Sequence, residues 1–368
     1  MVLPDSVVDE GWVVVDGGRI SDIGSGTPPL PATNLGGAWL LPGFVDLHAH
    51  GGGGGSFAGG EDSARVAADF HLRHGTTSLL ASIGTDDAAQ MAASCRALVP
   101  LCGDGTIRGI HLEGPFLSVA RRGAHRTDLL RLPDLTVLEE LLTAGAGSVR
   151  SVTIAPELPG ARDAMARLDA AGVVVAFGHT DADAETMVSA LSGRRGYITH
   201  LFNGMTPMHH RESAGAIAAL LDPDCMLELV NDGVHVHPQV VNLVFAVATG
   251  RVALVTDAIS AAGMPDGRYG GDGHEVDVKD GQAWTTDGRS LAGSTLTMSA
   301  ALRNTVQGGV SIINASEAAS GTPARALGLD SEIGSISIGH RADLVVLDDT
   351  FAPRQVFVAG LARQATAC

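Results

Sequence analysis

A chain of 368 residues, 45% hydrophobic, with a formal net charge of −17, can bury one large core and a smaller one. No stretch reaches the ~20 uninterrupted apolar residues of a membrane span, and the excess of acid argues against a nucleic acid or an anionic membrane as partner, because both are polyanions. Cys95, Cys102, Cys225 and Cys368 are scattered without a C-x-x-C spacing, so reduced thiols and a cytoplasmic protein are expected.

Residues 7–41 read as short strands and turns, with Trp12-Val13-Val14-Val15 and Arg19-Ile20 flanking the hairpin signal Asp16-Gly17-Gly18. Strand candidates follow at 41–48, 76–81, 107–111, 149–154, 173–178, 197–200, 227–230 and 252–256. Each precedes a helical pattern, near 61–74, 86–98, 134–144, 162–171, 183–191, 214–221, 238–248 and 295–307. Eight such units predict an α/β protein built on a (β/α)8 TIM-type barrel. The alternative is a doubly wound open sheet, but the first βα turn has no G-x-G-x-x-G and a P-loop needs a lysine the chain does not offer there. The last unit is long: His274-Glu275-Val276-Asp277-Val278 and Gln282-Ala283-Trp284 look like a hairpin inserted over the catalytic face. The stretch from Gly334 to Val358 again has short-strand character. The expected organisation is therefore 1–41 and 334–368 as one small β-sandwich domain built from both termini, with the barrel at 42–333.

Barrel enzymes carry their chemistry at the C-terminal strand ends. Strand 1 ends in His48 and His50, which alternate onto one face with Asp46 behind them. Strand 3 runs into Glu113, strand 5 ends at His179, strand 6 at His200 and strand 8 at Asp257. Imidazoles and carboxylates suit Zn²⁺ first, and also Fe²⁺, Mn²⁺ or Co²⁺, and six such residues suffice for one or two ions sharing a bridging group. Lys279, the only lysine, lies in the insertion, so a carboxylated lysine cannot bridge and Glu113 is the bridge candidate. An ion in such a site gives a hydroxide usable at neutral pH, and Asp257 is placed either as general base then acid or as a plain ligand.

The segments Pro42 to Gly51, His111-Leu112-Glu113-Gly114-Pro115-Phe116, Gly178-His179-Thr180, Thr199 to Met205, Asn231 to His235, Val255 to Ala258 and Leu291 to Ser294 resemble the amidohydrolase superfamily, and within it the N-acetylglucosamine-6-phosphate deacetylase family, over nearly the whole chain. The resemblance implies a metal-dependent deacetylase acting on a phosphorylated amino sugar, with Asp257 as general base and acid. Glu113, His179 and His200 would be ligands of the ion all members keep, and His48 and His50 those of a second. It further implies that Asn203, Gly204, Arg211 and His235 hold the sugar phosphate, with Gly114 and His125 also facing substrate. Arg211 would come from the neighbouring subunit of a homodimer. Three positions depart from the family pattern: Arg126, expected to face solvent, Gly204 where alanine is frequent, and Ser213 where proline is frequent. A hydrolase of another amide, or a barrel kept as a non-catalytic module, remains the alternative.

Other features have plainer explanations. Gly51 to Gly55 reads as a loop passing close to the site, His71 and His74 as the end of the first helix, Ser294 as a helix N-cap, and Glu139-Glu140 as a wetted helix face.

Overall fold

The computed structural model of the chain describes residues 1–270 and 275–363. Strands β1 (Phe44–Ala49), β2 (Thr76–Ile83), β3 (Gly109–Glu113), β4 (Val149–Ile154), β5 (Val174–Phe177), β6 (Gly196–Ile198), β7 (Met226–Leu229) and β8 (Val252–Leu254) lie side by side in chain order, each neighbouring pair parallel. Helices α1 (Glu61–Arg73), α2 (Ala88–Gly103), α3 (Leu135–Ala144), α4 (Ala161–Ala170), α5 (Ala184–Leu191), α6 (Gly215–Leu221), α7 (Pro238–Val247) and α8 (Met298–Gln307) alternate with them. Each observed strand and helix overlaps its predicted segment, and the barrel, rather than the open sheet, is the fold.

Local chemistry explains these elements. Every residue of β1, β3 and β8 is buried, as expected of parallel strands covered on both faces. In α4 the buried residues Ala161, Ala164, Met165 and Leu168 recur at the spacing that makes one apolar stripe. Aspartates start three of the helices: Asp87, Asp134 and Asp183 accept the free N–H groups of Ala89, Thr136 and Thr186. The last barrel helix starts later than the sequence suggests, because its cap is Thr297, which accepts from Ala300 N. Ser294 instead donates to Thr256 O (2.5 Å).

The barrel closes at the seam between β8 and β1. Asp257 N donates to His48 O (2.8 Å) and His50 N to Ala258 O (2.7 Å). Asp46, wholly buried in β1, completes the seam with its side chain. One carboxylate oxygen accepts from Thr256 N (3.2 Å) and His48 N (3.2 Å), the other from Thr256 Oγ1 (2.6 Å). After α8 the chain forms short helical turns at Ile312–Ser316, Glu317–Gly321 and Thr322–Ala326 that pack beneath β1 and β8. Rich in alanine, serine and glycine, they show no strong apolar period and went unrecognised in the sequence.

The predicted first strand divides at Gly43. Trp39–Pro42 belongs to a separate antiparallel sheet with Leu344–Leu347, Pro353–Val358 and Leu361–Arg363, and β1 begins only at Phe44. A Cβ on Gly43 would stand 2.2 Å from Thr77 Oγ1, so the crossing from one sheet to the other needs glycine. The hairpin Gly11–Asp16 with Arg19–Ser25 joins this sheet through Ile20 N to His340 O and Ala342 N to Gly18 O, both 2.9 Å. Met1, Ile20, Leu40, Ile336, Ala342, Leu344 and Val346 form its own core. The inserted segment after β8 holds a three-stranded sheet, Gly267–Tyr269, Val276–Lys279 and Gln282–Thr285. His274, and Cys368 at the far end, lie outside the described residues. No helix among the described residues is long and apolar enough to cross a membrane.

Candidate functional site

Three of the six rim residues sit in left-handed backbone conformations, with φ of 47° at His179, 30° at His200 and 50° at Asp257. Such conformations cost about 1–3 kcal/mol each in residues other than glycine and persist only where the surroundings hold them. Here each one turns the chain sharply just beyond a strand end. His48 and His50 need no such turn, since alternation along β1 already puts them together, with Nε2 atoms 3.0 Å apart.

The six side chains form two triads, His48 with His50 and Asp257, and Glu113 with His179 and His200. Within the second, Glu113 Oε1 lies 3.1 Å from His179 Nε2 and 3.0 Å from His200 Nε2, and the two imidazole nitrogens are 3.1 Å apart. In the first, Asp257 Oδ1 is 3.5 Å from both His48 Nε2 and His50 Nε2. Glu113 also faces the first triad, Oε1 at 3.6 Å from His48 Nε2 and Oε2 at 3.2 Å from His50 Nε2. It therefore stands between the two groups.

The far side of three of the four imidazoles shows that a cation suits the centre. His179 Nδ1 meets Arg121 O (2.8 Å) and His200 Nδ1 meets Asn203 O (3.1 Å). A carbonyl oxygen only accepts, so the ring hydrogen lies on Nδ1 and the lone pair of Nε2 points inward. His48 Nδ1 likewise faces Glu228 Oε2 (3.1 Å). Lone pairs and carboxylate oxygens thus converge at about 3 Å with no hydrogen to separate them, an arrangement that a divalent ion satisfies. The field agrees. Burial works against a charged His48, yet Asp257 and Glu113 carry its pKa well above the ordinary value. Burial also opposes ionisation of Glu113, but His48, His125 and His179 hold that carboxyl well below the usual range.

Beneath the centre runs a buried polar chain. His111 lies between Ser82 Oγ (2.9 Å) and Thr153 Oγ1 (2.8 Å), its ring edge-on to His48, and burial keeps it neutral by pushing its pKa well down. Glu228 in β7 is fully buried among these groups and went unnoticed in the sequence, where it is one polar residue inside the apolar run Met226-Leu227-Glu228-Leu229. A carboxylate in a strand buried on both sides was the available signal, since such a group requires partners.

The residues expected to hold substrate gather unevenly. His125 stands beside the second triad, its Nε2 3.4 Å from Glu113 Oε2 and its ring edge-on to His179. Gly114 and Gly204 have φ of 94° and 61°. A Cβ on the first would stand 2.2 Å from Thr85 Oγ1, and on the second 2.7 Å from His179 Nδ1. Asn203 turns its amide back to His200 O and Leu201 O. His235 Nδ1 bonds Asp232 (2.6 Å); burial opposes its charge, but Asp232 outweighs this and raises its pKa. Arg211 is not brought to this cluster by its own chain: it is exposed, its Nη1 on His210 Nε2 (2.7 Å).

Arg126 is exposed and forked onto Asp128, as expected of a residue facing solvent. The insertion returns beside Asp257, whose carbonyl accepts from Ser294 N (2.8 Å). Its Asp287 and Glu275 feel the charges of Arg122 and Arg126, on the segment that carries His125. The features given plainer explanations also have structural partners. His71 Nε2 bonds Gly51 O (2.9 Å), His74 Nδ1 bonds Phe70 O (2.8 Å), and Glu139 pairs with Arg167. The glycine run forms a tight hairpin, Gly51–Gly52 with Gly55–Ser56, packed on Phe70.

Comparison with known proteins places this arrangement among relatives. Residues 39–363 match the pattern of the amidohydrolase family. The N-acetylglucosamine-6-phosphate deacetylase of Vibrio furnissii is 36% identical over 355 residues, covering 94% of this chain and 89% of that protein. The N-acetylgalactosamine-6-phosphate deacetylase of Escherichia coli O157:H7 is 35% identical over 363 residues, covering 96% of each. A solved N-acetyl-D-glucosamine-6-phosphate deacetylase of Mycobacterium smegmatis, an aspartate-to-alanine mutant in complex with N-acetyl-D-glucosamine-6-phosphate, superposes with a TM-score of 0.95 at 39% identity. It covers 99% of this chain and 97% of that one.

Proposed function

The chain belongs to the amidohydrolase family, and from that premise we propose that it hydrolyses the acetamide of N-acetyl-D-glucosamine 6-phosphate to glucosamine 6-phosphate and acetate. The observation that carries this reading is the pair of triads around Glu113 at the barrel mouth. Glu113, His179 and His200 would hold one divalent ion, and His48, His50 and Asp257 a second. Zinc is the first choice for this donor set. An ion held there supplies an acidified water and a Lewis acid for the acetyl carbonyl. Asp257 takes the proton of the attacking water and returns it to the departing nitrogen, so that water and amide become carboxylic acid and amine. His125, beside Glu113, donates to the oxygen that gains charge.

For the phosphate, His235 carries the charge that Asp232 favours, with Asn203 and the backbone at Gly204 as further contacts, while Gly114 allows the substrate close approach. Arg211 supplies the planar fork suited to phosphate. Its exposure on its own subunit supports its reaching the neighbouring site in a homodimer. A cytoplasmic setting fits a phosphorylated substrate and the free thiols Cys95, Cys102 and Cys225.

The near-equal identity to a relative named for the galactosamine epimer supports a second reading, in which the 4-epimer is the better substrate. Acetate release should be measured on protein of known metal content, with both epimeric 6-phosphates and with unphosphorylated N-acetylglucosamine. The expected order is the glucosamine phosphate first and the unphosphorylated sugar last. No release from either phosphate would end both readings.

A further inference from the structure

We propose that Glu228 is a positioning residue that serves both triads at once, fixing the ring of His48 in one and the backbone turn of His200 in the other. The inference rests on the reading that the triads hold ions. Glu228 Oε2 receives His48 Nδ1 at 3.1 Å and His200 N at 3.1 Å, while the main-chain oxygen of Glu228 receives Leu201 N at 2.8 Å. The turn at His200, with its φ of 30°, is thus held from β7 by side chain and backbone together. Neither hydrogen-bond partner of the carboxylate is close in sequence, being 180 and 28 residues away.

A fully buried carboxylate is costly unless its surroundings return the lost hydration, and Glu228 Oε1 has no hydrogen-bond partner among the described residues. An apolar residue of similar size would pack in β7 without that cost. What the carboxylate adds is direction: as an acceptor it keeps the hydrogen of His48 on Nδ1, so that Nε2 presents its lone pair to an ion. It also adds a negative charge behind a cationic centre. Because one oxygen accepts from both triads, its loss should weaken both ion positions, and more strongly the one that depends on the His48 ring.

The test is equilibrium metal titration of wild type and Glu228→Gln, a change that keeps volume and removes charge. Affinity at the His48, His50 and Asp257 position should fall about 10–100-fold, and at the other position by less. In a His48→Ala background the same change should no longer weaken that position. Unchanged affinities in Glu228→Gln overturn the inference while wild type still binds. So does a variant that melts lower in its metal-free form yet binds ions as tightly, since that marks packing alone. A wild type that binds no ion sinks the metal reading itself. A second measurement needs no Glu228 variant. In zinc-loaded wild type with ¹⁵N-labelled histidine, the ring hydrogen of His48, assigned with His48→Gln, should reside on Nδ1. Its presence on Nε2 overturns the inference.

Discussion

At Asp257 the proposed catalytic role and the structural demands on one residue meet. Its backbone closes the barrel through His48 O, its φ of 50° aims the carboxyl at the mouth, and its Oδ1 faces both histidines of β1. Replacing it with asparagine keeps the size and removes the proton acceptor. Turnover of Asp257→Asn should fall by about 10²–10⁴ while the ion at Glu113, His179 and His200 persists. Near-normal turnover, measured beside metal content, would remove Asp257 from the mechanism. Most of this centre was legible because histidines and acids at strand ends are conspicuous in apolar surroundings. Glu228 was not, since what gives it meaning is contact with His48 and His200 across three strands. Arg211 was readable only as a phosphate-type side chain, and a single chain does not say which site it serves.

At the scale of elements, two buried groups hold the architecture around the site. The seam from β8 to β1 depends on Asp46, whose carboxylate takes the place of ladder bonds. Asp46→Ala would take the acceptor from the backbone N–H groups of Thr256 and His48 and should lower unfolding stability by about 2–4 kcal/mol, read by denaturant titration. His71 braces the glycine hairpin from α1, and burial pushes its pKa from 6.5 down to about 4. The unfolded chain therefore takes up a proton below pH 6.5 that the folded chain refuses until about pH 4. Stability should fall as pH drops through that window, by on the order of 3 kcal/mol from this group. His71→Gln should lack that share, so the difference between the two proteins should change with pH between those limits. A constant difference would contradict it.

Element positions were legible from period and capping. The exceptions have physical causes: Gly43 ends one sheet and starts another within an unbroken apolar run, and Ser294 closes a turn of its own, its Oγ accepting from Leu296 N and donating to Thr256 O, so that the helix starts at the next cap, Thr297.

At the scale of the whole molecule, the six rim residues come from five strand ends and their following turns, so an ion gathered by them ties most of the barrel together. Removing metal with a chelator should lower the melting temperature, and resupply at ~1,000-fold over Kd should restore about 4 kcal/mol. A melting curve indifferent to metal would show that neither triad is occupied. The proposed shared-site dimer has its own check. Asp257→Asn and Arg211→Ala, each nearly inactive on the phosphorylated substrate alone, should recover activity when co-assembled, because the mixed dimer contains one intact site. Failure to complement, in a mixture shown to exchange subunits, would place Arg211 in its own chain's site or in none.

Lys279 is the exposed end of a strand in the insertion, and the chain has no other lysine. An amine-directed fluorophore therefore has a single side chain to find. The molecule thus carries a built-in attachment point for an optical label, without engineering a cysteine.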